Sequence, residues 1–151
     1  MRQSAMTVLF ALLVALAFTA ATSAADEPKK AEPKAENKLV GTWKLVSAKH
    51  DGKEAKLPED YTMLKHVTPV QFMWAVHDKD GKVAQSLGGP CILKGDKYEE
   101  TPEYGIGGDF ERIKGKAHTF TWKVEGNKWY HNGKLSDDLT IEEVWERVEK
   151  K

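Results

Sequence analysis

The sequence predicts an all-β fold, a single antiparallel up-and-down barrel of about 8–10 strands. Short strand-like runs recur at close spacing along the chain, and turns containing glycine, asparagine or aspartate separate them. Within several runs apolar and polar residues alternate, as in strands that bury only one face. Helical patterns are scarce and no internal repeat is visible. These observations favour a β-sandwich or β-barrel over any helical class.

Residues 1–25 are predicted to be a secretory signal peptide that is absent from the mature protein. Arg2 supplies the positive start, residues 7–18 form an apolar run, and small residues close the segment. The apolar run is shorter than the roughly 20 residues that a membrane-spanning helix needs. No cysteine stands at the cleavage site, which disfavours a lipoprotein. We therefore expect a secreted or periplasmic protein with no integral membrane segment after cleavage.

The rest of the chain divides into a linker and one domain. Residues 26–38 carry no large apolar side chain and are predicted to be a flexible charged linker. Residues 39–151 are long enough to bury a core. The chain holds 23 basic and 23 acidic residues, so its charge does not indicate nucleic acid as a partner. Cys91 is the sole cysteine, which excludes an internal disulfide, and its apolar neighbours favour a buried thiol.

The predicted elements follow one another with short connections. The strand-like runs are 39–49, 70–77, 82–87, 91–94, 97–104, 109–114, 117–125, 128–132 and 139–148. The predicted turns are 78–81, 94–96, 105–108, 114–116, 125–127 and 131–134, each containing glycine. The segment 57–66 has a proline near its start and is expected to hold a helical turn.

One face of the predicted sheet is strongly aromatic. Phe72 and Trp74 share a face, as do Phe120 and Trp122 in a later run, and Trp129 follows across the next turn. A sandwich would pack this side dry, whereas a barrel would turn it inward, where it could surround a ligand.

The start and end of the predicted domain carry a pattern that resembles the lipocalins and the wider calycin barrels. The pattern is Gly41-x-Trp43 at the start of the first strand and Arg147 in the last strand. In that superfamily a tryptophan of the first strand plugs one end of the barrel, and an arginine of the last strand lies across it. The resemblance therefore implies that Gly41, Trp43 and Arg147 close the barrel, with a cation–π contact between guanidinium and indole.

The wider pattern is similar to a family of small bacterial lipocalin-like domains of uncharacterised function. It spans about residues 39–149 and includes the stretches LVGTWKLVS, KHVTPVQFMW, GDKYEETPEYG, NKWYHNGKL and IEEVWERV. Barrels of this shape include ligand-binding proteins and a few enzymes, so the resemblance implies the fold more narrowly than the function.

The candidate ligand-binding residues are the aromatic side chains of the inner face and the polar side chains predicted to share it. If 66–76 is one regular segment, His66 falls on the same face as Phe72, and Tyr98, Glu100 and Tyr104 share a parity. The whole candidate set is His66, Phe72, Trp74, Tyr98, Glu100, Tyr104, His118, Phe120, Trp122, Trp129 and His131. The alternatives are a lumen filled by these side chains and a self-satisfied polar network.

No motif in the sequence indicates catalysis, a cofactor or a metal. The serines carry no nucleophile motif, and the five histidines show no tight ligand spacing. Glu100 paired with His66 or His131 could act as an acid and base only if the fold brings them together.

The function expected from these residues is binding of a small apolar or amphipathic molecule in an aromatic lumen. The alternatives are an enzyme that uses His and Glu groups in the barrel, and a filled barrel that binds a protein partner. The sequence leaves open the identity of the ligand and whether the domain forms a homodimer.

Overall fold

The computed structural model describes residues 38–137 and 139–149. The predicted signal peptide, 1–25, and all of the predicted linker except Lys38 lie outside the described residues. Within the described ranges the chain forms ten strands and one short helix. They are β1 Gly41–His50, β2 Lys53–Glu54, β3 Tyr61–Val67, β4 Gln71–Asp78, β5 Val83–Lys94, β6 Lys97–Glu100, β7 Tyr104–Ile106, α1 Phe110–Ile113, β8 His118–Glu125, β9 Lys128–Ser136 and β10 Leu139–Arg147.

Eight of these strands close into an antiparallel barrel. They pair in the order β10-β9-β8-β6-β5-β4-β3-β1, and β1 then pairs with β10. The closing register places Trp43 opposite Arg147. Strand β2 adds to β1, and β7 adds to β5 beyond the end of β6. Closure leaves no long unpaired strand edge along the barrel wall, and it confirms the predicted all-β barrel.

Two predicted elements were wrong in type. The segment expected to hold a helical turn contains β3, because Tyr61–Val67 pairs on one side with β1 and on the other with β4. The run 109–114, predicted as a strand, contains helix α1. Gly107 and Gly108 precede it with φ angles of +71° and +57°, which end the strand and let the backbone carbonyl of Asp109 accept from Arg112 and Ile113.

Two predicted connections were also wrong. The residues 131–134, predicted as a turn, lie inside β9. A Cβ on Gly133 would lie 2.7 Å from Cδ1 of Phe120, so this glycine permits close packing and does not mark a turn. The runs 82–87 and 91–94 form one strand, β5. Its glycines 88 and 89 pack closely against the chain that follows β6.

One end of the barrel is closed by Trp43 at the start of β1. Its side chain is fully buried, and its indole N–H donates to the backbone oxygen of Leu39 at 2.8 Å. The guanidinium carbon of Arg147 lies 4.0 Å from the centre of the indole, where a cation–π contact contributes about 0.5–2 kcal/mol. Arg147 also donates to the backbone oxygens of Val40 and Lys38, so it ties the strand that ends the barrel to the chain that enters it.

The close approach of Arg147 explains the glycine two residues before Trp43. A Cβ on Gly41 would lie 2.5 Å from Nη1 of Arg147, and the φ angle of Gly41 is +141°. A side chain there would displace the guanidinium and strain the backbone.

Aromatic side chains fill the closed half of the barrel above Trp43. Trp129 lies at the centre of this group, with its ring 5.5 Å from Trp43, 5.6 Å from Tyr98 and 6.1 Å from Trp145 between centroids. Most of these contacts are edge-to-face, a geometry that aromatic pairs favour. The lumen is therefore filled in this half.

Replacing Trp43 with Ala is expected to lower the free energy of unfolding by about 3–5 kcal/mol, because it removes a fully buried indole and leaves a cavity. Urea denaturation followed by circular dichroism measures this change. Trp122→Ala is the matched control, since Trp122 is only part-buried and its loss should cost less. An unchanged midpoint for Trp43→Ala would contradict the role of Trp43 as a plug.

Candidate ligand-binding cavity

The other half of the barrel contains a cavity of about 360 Å³. Its residues come from the end of β1 and the start of β10, whereas the plug comes from the start of β1 and the end of β10. The apolar walls include Leu45, Ala48, Met63, Trp74, Val76, Leu87, Phe120, Leu135, Leu139 and Ile141. The lumen is thus neither wholly filled nor wholly hollow, because one half holds packed rings and the other holds space.

Helix α1 and the glycine turn before it lie at the mouth of the cavity. Gly107, Gly108, Asp109 and Ile113 line it. The side chains of Phe110 and Ile113 are buried in the core, which fixes the short helix against the barrel.

A buried ion pair lies where the cavity meets the aromatic group. Nζ of Lys65 on β3 lies 2.6 Å from Oε1 of Glu100 on β6, and their side chains are 2% and 8% exposed. The ammonium also lies 5.1–5.9 Å from the ring centroids of Trp129, Trp145, Phe72 and Tyr98. Carboxylate and ring faces together compensate for the water that this charge has lost.

A carboxylate–imidazole pair lies beside this ion pair. Oε2 of Glu143 on β10 accepts from Nδ1 of His131 at 2.8 Å and from the indole N–H of Trp145 at 3.0 Å. Burial favours the neutral carboxyl, but the His131 hydrogen bond and charge, together with Lys65, hold the pKa of Glu143 below its ordinary value. Glu143 is therefore a carboxylate that accepts only, and Nδ1 of His131 carries the proton between them.

Two imidazole nitrogens in this region lack a partner. Nε2 of His131 and Nε2 of His118 are buried and have no hydrogen-bond partner among the described residues. Both histidines line the cavity, and they are 1% and 9% exposed. A buried polar atom without a partner costs free energy, and protein atoms enclose both of these nitrogens.

Tyr98 and Cys91, two groups that interact with Glu100, are neutral. Burial, followed by the charge of Glu100, raises the pKa of Tyr98. Burial also raises the pKa of the free thiol of Cys91, in line with the buried thiol that the sequence favours. Neither group adds charge near the ion pair.

Five of the sequence-predicted ligand-binding residues line the cavity, three lie in the core around it, and one packs against that core. The lining residues are Trp74, Glu100, His118, Phe120 and His131. The core residues are Phe72, Tyr98 and Trp129, and the part-buried Trp122 packs against them. Trp122 donates its indole N–H to the backbone oxygen of Gly95. The parity of the strands therefore placed these residues on the inner face, while the depth of each along the barrel separates the two groups.

His66 and Tyr104 are not on the inner face, so their predicted placement was wrong. The chain turns sharply at residues 68–70, and Val67 then pairs with Phe72, which changes the inward parity from odd in β3 to even in β4. His66 is consequently exposed and interacts through Nδ1 with Oγ1 of Thr42 at 3.0 Å. Tyr104 begins the added strand β7 and is 49% exposed.

The positions of these residues also test the acid and base pairs that the sequence suggested. Glu100 does not meet His66, which lies outside the barrel. His131 does line the same cavity as Glu100, but its carboxylate partner is Glu143.

Lys65 and Glu143 line the cavity but were not among the residues predicted from the sequence. Both were visible as inner-face positions by parity, since Lys65 stands between Met63 and Val67, and Glu143 between Ile141 and Trp145. Lys65 was missed because its segment was expected to be helical. Glu143 was missed because the last strand was not assigned an inner face.

No three His, Cys, Asp or Glu side chains in the described ranges lie close enough together to hold a metal ion. Residues 38–137 and 139–149 also contain no helix with the length and hydropathy needed to cross a bilayer.

Comparison with known proteins supports the architecture. No protein-family model matches the chain, and no curated protein matches it. Among solved structures, a lipocalin-like protein from Bacteroides uniformis superposes with a TM-score of 0.51 at 14% identity, covering 73% of this chain and 98% of that one. The fold is lipocalin-like.

Two further structures resemble this lipocalin-like barrel less closely. A redesigned β-barrel has a TM-score of 0.47 at 16% identity, with 74% of this chain and 92% of that chain covered. A mutant of the fluorescent protein UnaG has a TM-score of 0.37 at 11% identity, with 74% and 97% covered.

Removing one member of the buried ion pair is expected to destabilise the barrel more than removing both. Lys65→Met should cost about 3–5 kcal/mol, because Glu100 then keeps a buried charge without its partner. The double variant Lys65→Met with Glu100→Leu should recover part of this loss. Urea unfolding of the wild type, both single variants and the double variant forms the cycle. Additive losses would show that the two side chains are not coupled.

The charge of Glu143 is expected to make stability depend on pH. Because its pKa is lower in the folded than in the unfolded state, its charge stabilises the fold above the unfolded pKa of about 4.3, and this stabilisation is lost as pH falls through the folded value. The difference in unfolding free energy between wild type and Glu143→Gln should therefore shrink from pH 5 to pH 3, as urea titrations would show. The exposed Glu142→Gln controls for the loss of one surface charge. A difference that stays constant across this range would contradict the ionised state of Glu143.

Proposed function

We propose that this protein binds a small amphipathic molecule in the open half of its barrel. The observation that carries the proposal is the cavity of about 360 Å³, whose mostly apolar lining also includes His118 and His131. A volume in this range suits a small ligand, and a mostly apolar pocket with a few placed polar groups is typical of ligand sites. The lipocalin-like fold supports a barrel that holds a ligand.

The cavity would offer a ligand two kinds of interaction, apolar contacts along its walls and polar contacts at its inner end. Apolar surface buried against Leu87, Trp74 and Phe120 would contribute about 25 cal/mol per Å² before the costs of ordering the ligand. The polar groups at the inner end would fix its orientation. The presence of the cavity counts against the alternative of a filled barrel that acts only through its outer surface.

We also propose that the protein is exported from the cytoplasm. The support for it is the sequence pattern of residues 1–25, with a charged start, an apolar run and small residues at the end. A protein that binds its ligand outside the cytoplasm would meet molecules released or imported by the cell. Mass spectrometry of the protein isolated from its own host would show whether the mature chain begins near residue 26.

A second candidate function, proton transfer on the bound molecule, is favoured by the Glu143–His131 pair. A carboxylate on Nδ1 makes Nε2 of the imidazole a stronger proton acceptor, as in general-base catalysis. Native mass spectrometry of the protein from its host, followed by denaturing extraction, would identify any bound molecule. A chemical change in that molecule on incubation with wild type, absent with His131→Phe, would establish catalysis, and recovery of an unchanged molecule would establish binding alone.

The binding proposal is tested by blocking the cavity. Prodan, a neutral fluorescent naphthalene ketone, should bind the wild type with a blue shift of its emission, because the cavity excludes water from the dye. Ala48→Phe should reduce its affinity at least tenfold, since Ala48 is buried and lines the cavity. Fluorescence titration measures both affinities.

The matched control is Ala84→Phe, which adds the same ring at an exposed position of β5 that does not line the cavity. Prodan should bind this variant as it binds the wild type. Equal affinity for wild type and Ala48→Phe would place the dye elsewhere and contradict the proposal.

A further inference from the structure

We infer that the outer face of strands β3, β4, β5 and β7 is the contact surface of a weak, symmetric homodimer. The outward residues of these strands form rows across the sheet, and none of them is Asp, Glu, Lys or Arg, although 30% of the chain is charged. We call this surface the uncharged face. Its residues are Thr62, Leu64, His66, Met73, Ala75, His77, Val83, Ser86, Gly88, Tyr104 and Ile106.

Large apolar side chains on the uncharged face are open to solvent. Met73, Tyr104 and Ile106 are 41%, 49% and 55% exposed. The ring of Tyr104 lies over Gly88, because a Cβ on this glycine would be 2.6 Å from Cε2 of the ring. A contiguous exposed surface of this kind commonly marks an interaction site.

The rest of the barrel's outer surface carries charge. Lys44, Glu146 and Lys128 follow one another across β1, β10 and β9, and Lys97 and Glu99 point outward from β6. A partner that covers the uncharged face needs a contact surface without charge, since an unpaired charge would lose its hydration there. Among the outer surfaces of the described barrel, the uncharged face of a second copy meets this requirement.

One row of the uncharged face has a symmetric order of side-chain sizes. Across β3, β4, β5 and β7 the order is large, small, small and large, from Leu64, Ala75, Ser86 and Ile106. A two-fold axis in the contact plane, parallel to the strands and between β4 and β5, places Leu64 against the partner's Ile106 and Ala75 against the partner's Ser86. The outside of a barrel is convex, so two such faces are closest at the centre and diverge at the edges. Small residues at the centre and large residues at the edges therefore let the two surfaces meet along the whole row.

The neighbouring row adds an apolar contact under the same symmetry. The axis brings Met73 against the partner's Gly88, over which the ring of the partner's Tyr104 lies. A thioether and an aromatic ring attract each other in such a contact. Each contact occurs twice in the dimer, because the two-fold axis repeats it.

The size of the uncharged face predicts a weak dimer. Neighbouring strands are about 4.8 Å apart and alternate residues along a strand about 7 Å apart, so the face measures about 20 by 20 Å. Two copies would bury about 800 Å² in total, which is below the lower limit of about 1,200 Å² for standard stable complexes. The association is therefore reversible, with a dissociation constant above about 1 µM.

Sedimentation velocity of the purified protein from about 5 µM to about 1 mM tests the dimer. The sedimentation coefficient should rise with concentration from the monomer value toward the dimer value. Ile106→Lys should hold it at the monomer value, because a lysine there would lose its hydration against the partner's Leu64. Ile92→Lys is the matched control and should associate as the wild type does, since Ile92 is 44% exposed but pairs with Glu99 outside the uncharged face. A wild type that stays monomeric throughout, or an Ile106→Lys variant that associates like the wild type, would overturn the inference.

Paired charges test the position of the axis. Leu64→Lys alone should abolish association. Leu64→Lys combined with Ile106→Glu should restore it, because the axis places opposite charges together in both copies of this contact. Leu64→Lys combined with Ile106→Lys should stay monomeric, and circular dichroism with urea unfolding checks that every variant is folded. An opposite-charge variant that is folded and stays monomeric would contradict the proposed axis.

A lipid surface is the other occupant that the same variants test. The uncharged face has no Lys or Arg to attract anionic headgroups, so we expect no binding to vesicles of phosphatidylcholine and phosphatidylserine in a flotation assay. Vesicle binding that Ile106→Lys abolishes, by a protein that stays monomeric in solution, would assign the face to lipid and overturn the inference. Leu64, Ile92 and Ile106 do not line the cavity, so all variants should bind prodan as the wild type does, and the dimer is tested independently of the proposed function.

Discussion

The structure depends on the pairing of the first strand with the last. This pairing turns an open sheet into a barrel, and the contact of Trp43 with Arg147 seals one end of it. Sealing excludes water from the aromatic half, and a dry interior strengthens every electrostatic interaction inside. The buried charges of Lys65, Glu100 and Glu143 therefore act in surroundings that the closed end creates. Without the plug, water would screen these charges and reduce their influence on a ligand.

The polar groups and the aromatic rings act together as one unit. The rings surround the ammonium of Lys65, and the ammonium in turn stabilises both carboxylates that face the cavity. Glu143 then fixes the orientation of His131. In each of these contacts, a group that would be costly to bury alone lies next to a group that compensates for this cost. The inner end of the cavity is consequently built from the core outward.

Much of the fold could be predicted from the sequence, whereas the cavity could be predicted only in part. Alternation placed Phe120, Trp129 and His131 on the inner face because each lies within one regular strand. Alternation fails at a turn whose length is unknown, which is why His66 was placed inside. Lys65 was overlooked because its segment was expected to be helical. The depth of a side chain along the barrel depends on the register between strands, and one strand's sequence does not contain that register. The partnership of Glu143 with His131, and the split between a filled and an open half, therefore required the three-dimensional structure.

The closing pair of strands also decides where the chain enters and leaves the barrel. Arg147 binds the backbone of Lys38 and Val40, so both ends of the described barrel lie beside the plug, opposite the cavity mouth. A fusion partner, a surface attachment or a label joined at either end would thus leave the mouth unobstructed. The same closeness of the two ends makes a circular permutation feasible, with a short connection between them and new termini in an exposed turn such as that between β8 and β9.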